Sequence, residues 1–476
     1  MAKVTTKTAA ERAAQRCIEP SCGALFPIQE RLYTCPRCGG LLEVTSSLSA
    51  NIEASTLRAL WESRRGSRHP RDASGVWRFR ELLPFAEDAP IITLGEGNTP
   101  LYDAPRSARY AGLRALRLKH QGCNPTGSFK DTGMSTAVTQ ALLLGARTVV
   151  CVSTGNTAAS LAAYAARAGL QCAILVPGGQ VSSAKLAQSM DYGAMVLEIE
   201  GNFDDAMRLI QELAEHKAIY LVNSLNPFRI EGQKTVAMEL LEQCDWRVPD
   251  HVVLPGGNMG NSAALGKGFL ELFALGVMDR LPKLSIVQAE GAAPLAQLYA
   301  RMGADPPADG PLPDAALEPV PNPQTLATAI RIGSPVSWKK SLRAVLATRG
   351  QVLSVSEQEI ADAKAVIGRD GIGCEPASAT TVAGIKRLVD AGHISPQQDV
   401  VAVLTGHLLK DPDYVTHYHR GTLRAPVDAG GAVPREHALV STFGNPPVRV
   451  KATTAAILEQ LERATQAGSS HAPKHR

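Results

Sequence analysis

Between residues 148 and 223, short apolar runs alternate with amphipathic stretches at a nearly fixed interval. Thr148–Val152 is β-branched and apolar, and an Ala-rich stretch with helical spacing, Thr157–Ala168, follows it. Gln171–Pro177 predicts the next strand and Ser182–Tyr192 the next helix. Ala194–Glu200 predicts a third strand, Phe203–Lys217 an amphipathic helix, and Ile219–Asn223 a fourth strand. The strand starts fall at 148, 171, 194 and 219. Strands alternating with helices at such spacing predict βαβ units and a parallel sheet. The loops differ completely, so no solenoid repeat is implied.

The alternation returns later in the chain. His251–Pro255 leads into a Gly-rich loop and a helix, Leu284–Ala289 into another helix, and Asp399–Leu404 ends at Thr405-Gly406-His407. The expected fold is therefore α/β, with two open, mostly parallel sheets, one inserted into the other. Residues 47–90 read as helical, then irregular, with a polar break at Ser63–Asp72, and the main body begins near Ile91. The pattern fades beyond about 421, where Ala455–Thr465 reads as a lone amphipathic helix. The expected divisions are a tail and cysteine-rich module (1–45), a helical segment with the first part of a large lobe (46–133), a small α/β lobe (134–232), the rest of the large lobe (233–420) and a C-terminal extension (421–476).

Composition narrows the class. At 476 residues the chain suits two or three domains. It is 45% apolar and 20% charged, which fits neither a disordered chain nor a membrane bundle. Aromatics are 5% against 41 Gly and 31 Pro, a mix that suits glycine-bearing βα turns better than a β-sandwich. A net charge of +4 over this length argues against a general nucleic-acid binder. The first sixteen residues hold no apolar signal core, and the uncharged stretch 148–166 is too polar to span a membrane. A soluble, cytoplasmic protein is expected, with buried reduced thiols at Cys123, Cys151, Cys172, Cys244 and Cys374.

The distinctive polar segments all follow expected strands: Ser153–Thr157, Asn223–Arg229, Gly256–Asn261 and Thr405–Asp411. Ligands bind beyond the carboxyl ends of strands in open parallel sheets, so one composite site is expected between the two lobes. Pro255-Gly256-Gly257-Asn258-Met259-Gly260-Asn261 lets successive backbone N–H groups and a helix N-terminus face one anion, the geometry of a phosphate cradle. It lacks the Gly-Lys-Ser/Thr of a Walker loop and the spacing of a dinucleotide loop. Asn124-Pro125-Thr126-Gly127-Ser128-Phe129-Lys130-Asp131 makes a turn, with Ser128 able to cap the next helix. Lys130 then falls in the first turn, where the positive end of the helix dipole favours its neutral amine. A neutral amine is what a Schiff base needs. Together these features suggest pyridoxal phosphate.

Thr126-Gly-Ser-Phe-Lys130-Asp131, Ser153-Thr-Gly-Asn-Thr157 and Gly256-Gly-Asn-Met-Gly-Asn261 resemble the fold-type II pyridoxal-phosphate enzymes, whose fold is like that of the tryptophan synthase β chain. Asn223–Thr235, Thr328–Pro335 and Thr405–Pro412 narrow the resemblance to the threonine synthase family, colinear over about residues 91–412. The resemblance implies that Lys130 holds the cofactor and moves protons, with residues 233–420 forming most of the cofactor-binding domain. It implies that Asn156 meets the ring hydroxyl, Thr405 the ring nitrogen, and Gly256, Gly257, Asn258, Met259, Gly260 and Asn261 the cofactor phosphate. Asn223, Ser224, Arg229 and Asn258 would hold a substrate phosphate, with Ser153, Thr154 and Thr157 near the reacting carbons. The implied reaction turns O-phospho-L-homoserine and water into L-threonine and phosphate, a lyase step of threonine and amino-acid biosynthesis. The sequence departs from the family at Thr132, where Arg is frequent, and at Leu408, where Gly is usual.

Cys17-x4-Cys22 and Cys35-x2-Cys38 are each followed by a glycine, Gly23 and Gly39, that permits a tight knuckle. Four thiolates suit one tetrahedral structural zinc, a zinc-ribbon-like module with no open position for catalysis. A ribbon that has lost its metal is the competing reading. For the whole chain the alternatives are a serine/threonine dehydratase or a cysteate- or cysteine-synthase-like enzyme, with no need for Arg229, and a zinc-ribbon regulator on an inactive enzyme body. The expected partner is a small-molecule substrate, with no nucleic acid and no membrane. A homodimer is the default assembly.

Overall fold

The computed structural model describes residues 13–46, 53–177, 183–200, 218–303, 316–427 and 435–469, with single positions between 205 and 213. Two sheets organise it. The large sheet runs Val352–Val355, Lys283–Ala289, His251–Pro255, Val400–Leu404, Arg117–His120, Leu101–Asp103 in spatial order. Every neighbouring pair is parallel except the last, where the edge strand is antiparallel. The small sheet runs Met195–Ile199, Gln171–Pro177, Thr148–Val152, Ile219–Leu221 and is parallel throughout. It is inserted in sequence between Arg117–His120 and His251–Pro255, as the strand spacing predicts.

The central strands read as continuous apolar runs because both faces are covered. Val253, Val287 and Ala402 pack into one core with the helices Glu357–Arg369 and Pro376–Asp390. Val252, Leu254, Val401 and Val403 point the other way, into a core with Phe228–Gln243 and Gly260–Ala274. In the small sheet Val149, Cys151 and Ile174 meet the Ala-rich helix Asn156–Ala168, while Val150, Val152 and Leu175 line the opposite face. Alanines let this helix lie close to the sheet.

The expected lobe boundaries at 134 and 233 fall inside helices, Lys130–Leu143 and Phe228–Gln243. The lobes are thus joined by continuous helices, which cross through glycines. A Cβ on Gly232 would lie 1.9 Å from the Thr132 carbonyl oxygen, and one on Gly133 would lie 2.9 Å from that of Arg229. This close approach sets the first turns of the two helices, with Lys130 and Arg229, side by side. Gly232→Ala should wedge them apart, costing about 1–3 kcal/mol by overpacking, read as a lower denaturant midpoint.

Four differences from the sequence pattern have physical causes. The strands Leu101–Asp103 and Arg117–His120 carry charges that hide them. Lys119 is wholly buried and forms an ion pair with the buried Glu239. A hairpin, Arg424–Val427 with Arg435–Ala438, stands where the pattern was lost, packed through Leu423, Ala425 and Leu439 against Tyr414 and Tyr418. The last helix spans Thr454–Ser469. Cys123 is exposed, unlike Cys151, Cys172, Cys244 and Cys374, because it sits on a turn rather than in an apolar run. Most of the expected helix Phe203–Lys217 lies outside the described residues. Among the described residues no helix is long and apolar enough to cross a membrane.

The cysteine-rich module is a three-stranded antiparallel sheet, Leu25–Pro27, Ala13–Cys17 and Leu42–Ser46. It fastens to both lobes. Arg31 donates to the Ile219 carbonyl at 2.9 Å and the Leu221 N–H donates to Tyr33 at 2.7 Å. Lys340 donates to the Leu42 carbonyl at 2.6 Å and Arg343 to that of Ile18 at 3.0 Å.

Candidate active site

The loops singled out in the sequence sit at the carboxyl ends of their strands, and hydrogen bonds tie several of them into one cleft. Lys130 opens the helix Lys130–Leu143. The loop before it is pinned to the end of the strand Val400–Leu404. The Phe129 N–H donates to the Thr405 carbonyl at 2.9 Å, and the His407 N–H to the Gly127 carbonyl at 2.9 Å. Gly127, at φ +86°, supplies the left-handed turn this path requires. Ser128 does not form a side-chain cap in the usual sense. The residue flanking the helix is Phe129, and the Ser128 hydroxyl accepts from the Lys130 N–H at 3.4 Å.

The Lys130 ammonium lies 4.1 Å from the centroid of the Phe129 ring. Burial, reinforced by the Arg229 guanidinium and opposed by the Glu375 carboxylate, pulls the Lys130 amine down to about 7. Withdrawal from water is therefore the main cause, ahead of the helix-end effect on which the sequence argument rests.

Thr405 follows the strand Val400–Leu404 and is buried. Its hydroxyl donates to Glu375 at 3.1 Å and lies 3.1 Å from the Ser378 hydroxyl. The Asn156 amide donates to the other Glu375 oxygen at 2.9 Å. Glu375 thus bridges the loops of the two lobes, and burial raises its carboxyl above the ordinary range. Sequence reasoning missed Glu375 and Ser378. They lie about thirty residues from Thr405 in the chain, and the only local sign was an acid just before Pro376, at the start of a helix. Asp131, the residue after the lysine, is buried. It accepts from the Thr126 N–H at 2.7 Å, the Thr126 hydroxyl at 2.6 Å and the Ser160 hydroxyl at 2.5 Å. It therefore holds the lysine loop in shape.

The Gly-rich loop leads into the helix Gly260–Ala274. Met259 at φ +64° turns the chain into the helix. Gly256 packs flat on the neighbouring strand, since a Cβ there would come within 2.6 Å of Ile286. Asn261, in the helix's first turn, is buried with both amide atoms lacking a hydrogen-bond partner. Asn258 is fixed by its amide, which donates to the Ser224 hydroxyl at 2.8 Å and accepts from the Val336 N–H at 2.6 Å.

Arg229 sits in the first turn of Phe228–Gln243, only 5% exposed. One terminal N–H donates to the Val222 carbonyl at 3.3 Å, while its Nε lacks a partner. Burial lowers its guanidinium to about 10, which leaves it charged at neutral pH. Asn223 is partly committed elsewhere. Its side chain exchanges two 3.1 Å hydrogen bonds with the Val152 backbone, tying the strand-end loops together. Ser153, Thr154 and Thr157 lie half-buried on the Ser153–Thr157 loop, with the Ser153 hydroxyl accepting from the Gly155 N–H at 3.2 Å. Leu408 lies beside Gly373 rather than in the Thr405 contacts.

The donor set fits pyridoxal phosphate: a buried amine near neutrality, a glycine loop on a helix N-terminus, and a strand-end hydroxyl. Fold and site together define a pyridoxal-phosphate-dependent enzyme of the two-lobed kind. The family model described as "Pyridoxal-phosphate dependent enzyme" matches residues 92–406. The threonine synthase of Methanocaldococcus jannaschii is 44% identical over 84% of this chain and 93% of its own length. That of Methanosarcina acetivorans is 46% identical over 84% and 93%. That of Mycobacterium tuberculosis is 44% identical over 75% and 94%. The chain belongs to the threonine synthase family of pyridoxal-phosphate-dependent enzymes. More distant solved structures share the fold alone. A tomato threonine deaminase has a TM-score of 0.54 at 20% identity, over 65% of this chain and 79% of its own. A maize serine racemase gives 0.53 at 21%, over 65% and 89%.

The second cluster is the four cysteines. The Sγ atoms of Cys17, Cys22, Cys35 and Cys38 lie within 4.8 Å of one another. Cys17 and Cys38 approach to 3.4 Å, Cys22 and Cys35 to 3.7 Å. Four sulfurs at about 2.3 Å from a tetrahedral zinc lie about 3.8 Å apart. Gly23 and Gly39 have φ of +52° and +72°, the knuckle conformation expected from their positions.

Proposed function

We propose that the enzyme converts O-phospho-L-homoserine and water to L-threonine and phosphate. The observation that carries the reading is a buried arginine with an unsatisfied Nε, close enough to Lys130 to depress its amine and separate from the glycine loop. One amine flanked by two anion-binding features suits a phosphorylated cofactor and a phosphorylated substrate at once.

Bound at Lys130, with its phosphate on Gly256–Asn261, pyridoxal phosphate supplies an aldehyde carbon and a ring that draws electron density from the substrate's α- and β-carbons. Lys130 would anchor it, and the same amine, neutral near pH 7, would accept the substrate's Cα proton. Arg229, with Asn258 and Ser224, grips the leaving phosphate. Asn223 gives its loop a fixed register and has amide capacity left for the same oxygens. Thr405, oriented by Glu375 and Ser378, would hold the cofactor ring through its hydroxyl. A hydroxyl in place of a carboxylate there leaves the ring a weaker electron sink, which suits elimination and replacement over transamination. Thr154, Thr157 and Ser153 line the path of water to Cβ. In sum Cβ loses a proton and phosphate leaves Cγ, a proton is returned at Cγ, hydroxide from water joins Cβ, and the Cα proton is restored. A substrate panel tests this reading. Turnover of O-phosphohomoserine far above serine and threonine supports it; a preference for the unphosphorylated amino acids contradicts it.

Cys17, Cys22, Cys35 and Cys38 hold one structural zinc in this reading. Protein purified without chelators should carry about one zinc per chain by elemental analysis. Cys35→Ser should lose the metal and lower the melting temperature while keeping the cofactor's near-visible absorbance. Metal-free wild-type protein of unchanged stability would show that the module folds without an ion.

A further inference from the structure

A cavity of about 560 Å³ is lined by residues other than those placed at the catalytic cleft. The helices Glu357–Arg369 and Pro412–His419 form two of its walls. The segment Gly371–Cys374 forms another, and Phe443–Asn445, from the C-terminal extension, closes it. The catalytic reading gives this space no work.

Its lining holds two polar groups that have no hydrogen-bond partner among the described residues. Lys364 is 8% exposed, and among the described residues its ammonium makes neither a hydrogen bond nor an ion pair. The Tyr414 hydroxyl is buried and also without a partner. The ammonium lies 5.8 Å from the Tyr414 ring centroid. Burial lowers the Lys364 pKa, opposed by Cys374 and Asp411. Burying a cation without a counterion is costly, and such groups are normally paired. Arg369 and His419 add positive or proton-donating edges. The Arg369 guanidinium stacks 5.0 Å from the Phe443 ring. The rest of the wall is apolar or aromatic, including Ile372, Leu408 and Tyr418.

We propose that this cavity is a second ligand site, which takes a small organic anion, a carboxylate or phosphate carrying an apolar or planar body. The charge meets Lys364 and Tyr414, and the body lies against Tyr418 and Phe443. The site also adjoins the catalytic machinery. Cys374 and Leu408 line the cavity, while Glu375, next to the first, and Gly406, two residues before the second, are joined by a 3.0 Å backbone hydrogen bond beside Thr405. An occupant therefore presses on the segments that orient Thr405.

The test uses full-length, cofactor-loaded enzyme and the fluorescent aromatic anion anilinonaphthalene sulfonate. Saturable binding at about one site per chain is expected, with a change in the cofactor's near-visible absorbance. Lys364→Met should weaken binding by about tenfold to a hundredfold, the equivalent of a charge-assisted hydrogen bond. Turnover without the probe should stay near wild type. Phe443→Ala, on a turn rather than in a core helix, should weaken binding as well. Benzoate and adenosine monophosphate serve as competitors. Displacement by the first alone assigns the site to carboxylates, and by the second alone to phosphates. Absence of saturable binding, equal affinity in Lys364→Met, or displacement by neither competitor overturns the proposal. Binding that leaves the absorbance unchanged overturns its link to Thr405. Since binding is read without turnover, failure here is distinct from failure of the catalytic reading.

Discussion

Lys130→Ala is expected to abolish the near-visible absorbance of a lysine-bound cofactor and to lower turnover by at least about 10²–10⁴-fold, the range of a lost proton carrier. Loss of the covalent anchor adds to this. The fold should survive, because Lys130 makes no side-chain hydrogen bond that holds the helix; its loop is held by Asp131, Thr126 and the Thr405 carbonyl. The wild-type amine also predicts a pH effect. Its pKa is lowered to about 7, so the neutral form dominates above that pH and the protonated form below it. Capture of added pyridoxal phosphate by cofactor-stripped enzyme should therefore speed up as pH rises through 7 and level off above it. A capture rate that rises only near pH 10 would mean that Lys130 is solvated as an ordinary lysine.

Arg229→Lys carries the second large effect. The arginine is buried beside the reactive amine, and its planar fork can meet two phosphate oxygens at once. A lysine offers a point charge on a flexible stem. A charge-assisted contact contributes about 1.5–3 kcal/mol, so kcat/KM for O-phosphohomoserine should fall about tenfold to a hundredfold. Cofactor loading should barely change, and slow side reactions on serine should suffer less. Equal losses on both substrates would place Arg229 among the residues that support the fold, through its bond to the Val222 carbonyl.

The strands that carry the site were legible because they are buried on both faces. Thr148–Val152, His251–Pro255 and Val400–Leu404 each read as an unbroken apolar run ending in a polar loop. The two strands at one side of the large sheet, Leu101–Asp103 and Arg117–His120, were not legible. Arg117–His120 holds a buried lysine whose partner, Glu239, lies 120 residues away, and no local pattern reveals that pairing. The same limit applied within the site. Lys130, the glycine loop and Arg229 announce themselves through local sequence chemistry. Glu375 and Ser378 do not, because their meaning lies in contacts with Thr405 and Asn156 across the cleft. The role of Asp131 was hidden for a related reason: its partners, the Thr126 and Ser160 hydroxyls, meet it only in the folded chain. The helix crossing at Gly133 and Gly232 was equally hidden, since each glycine alone reads as a weak spot in a helix rather than a contact.

The most direct test of the account is to supply purified, cofactor-loaded enzyme with O-phospho-L-homoserine, measure released phosphate, and identify the amino-acid product. The account predicts phosphate and L-threonine in equal amounts, with the hydroxyl oxygen drawn from labelled water. Phosphate released with a keto acid and ammonia in place of threonine, or no phosphate release from enzyme that shows the cofactor band, would contradict it.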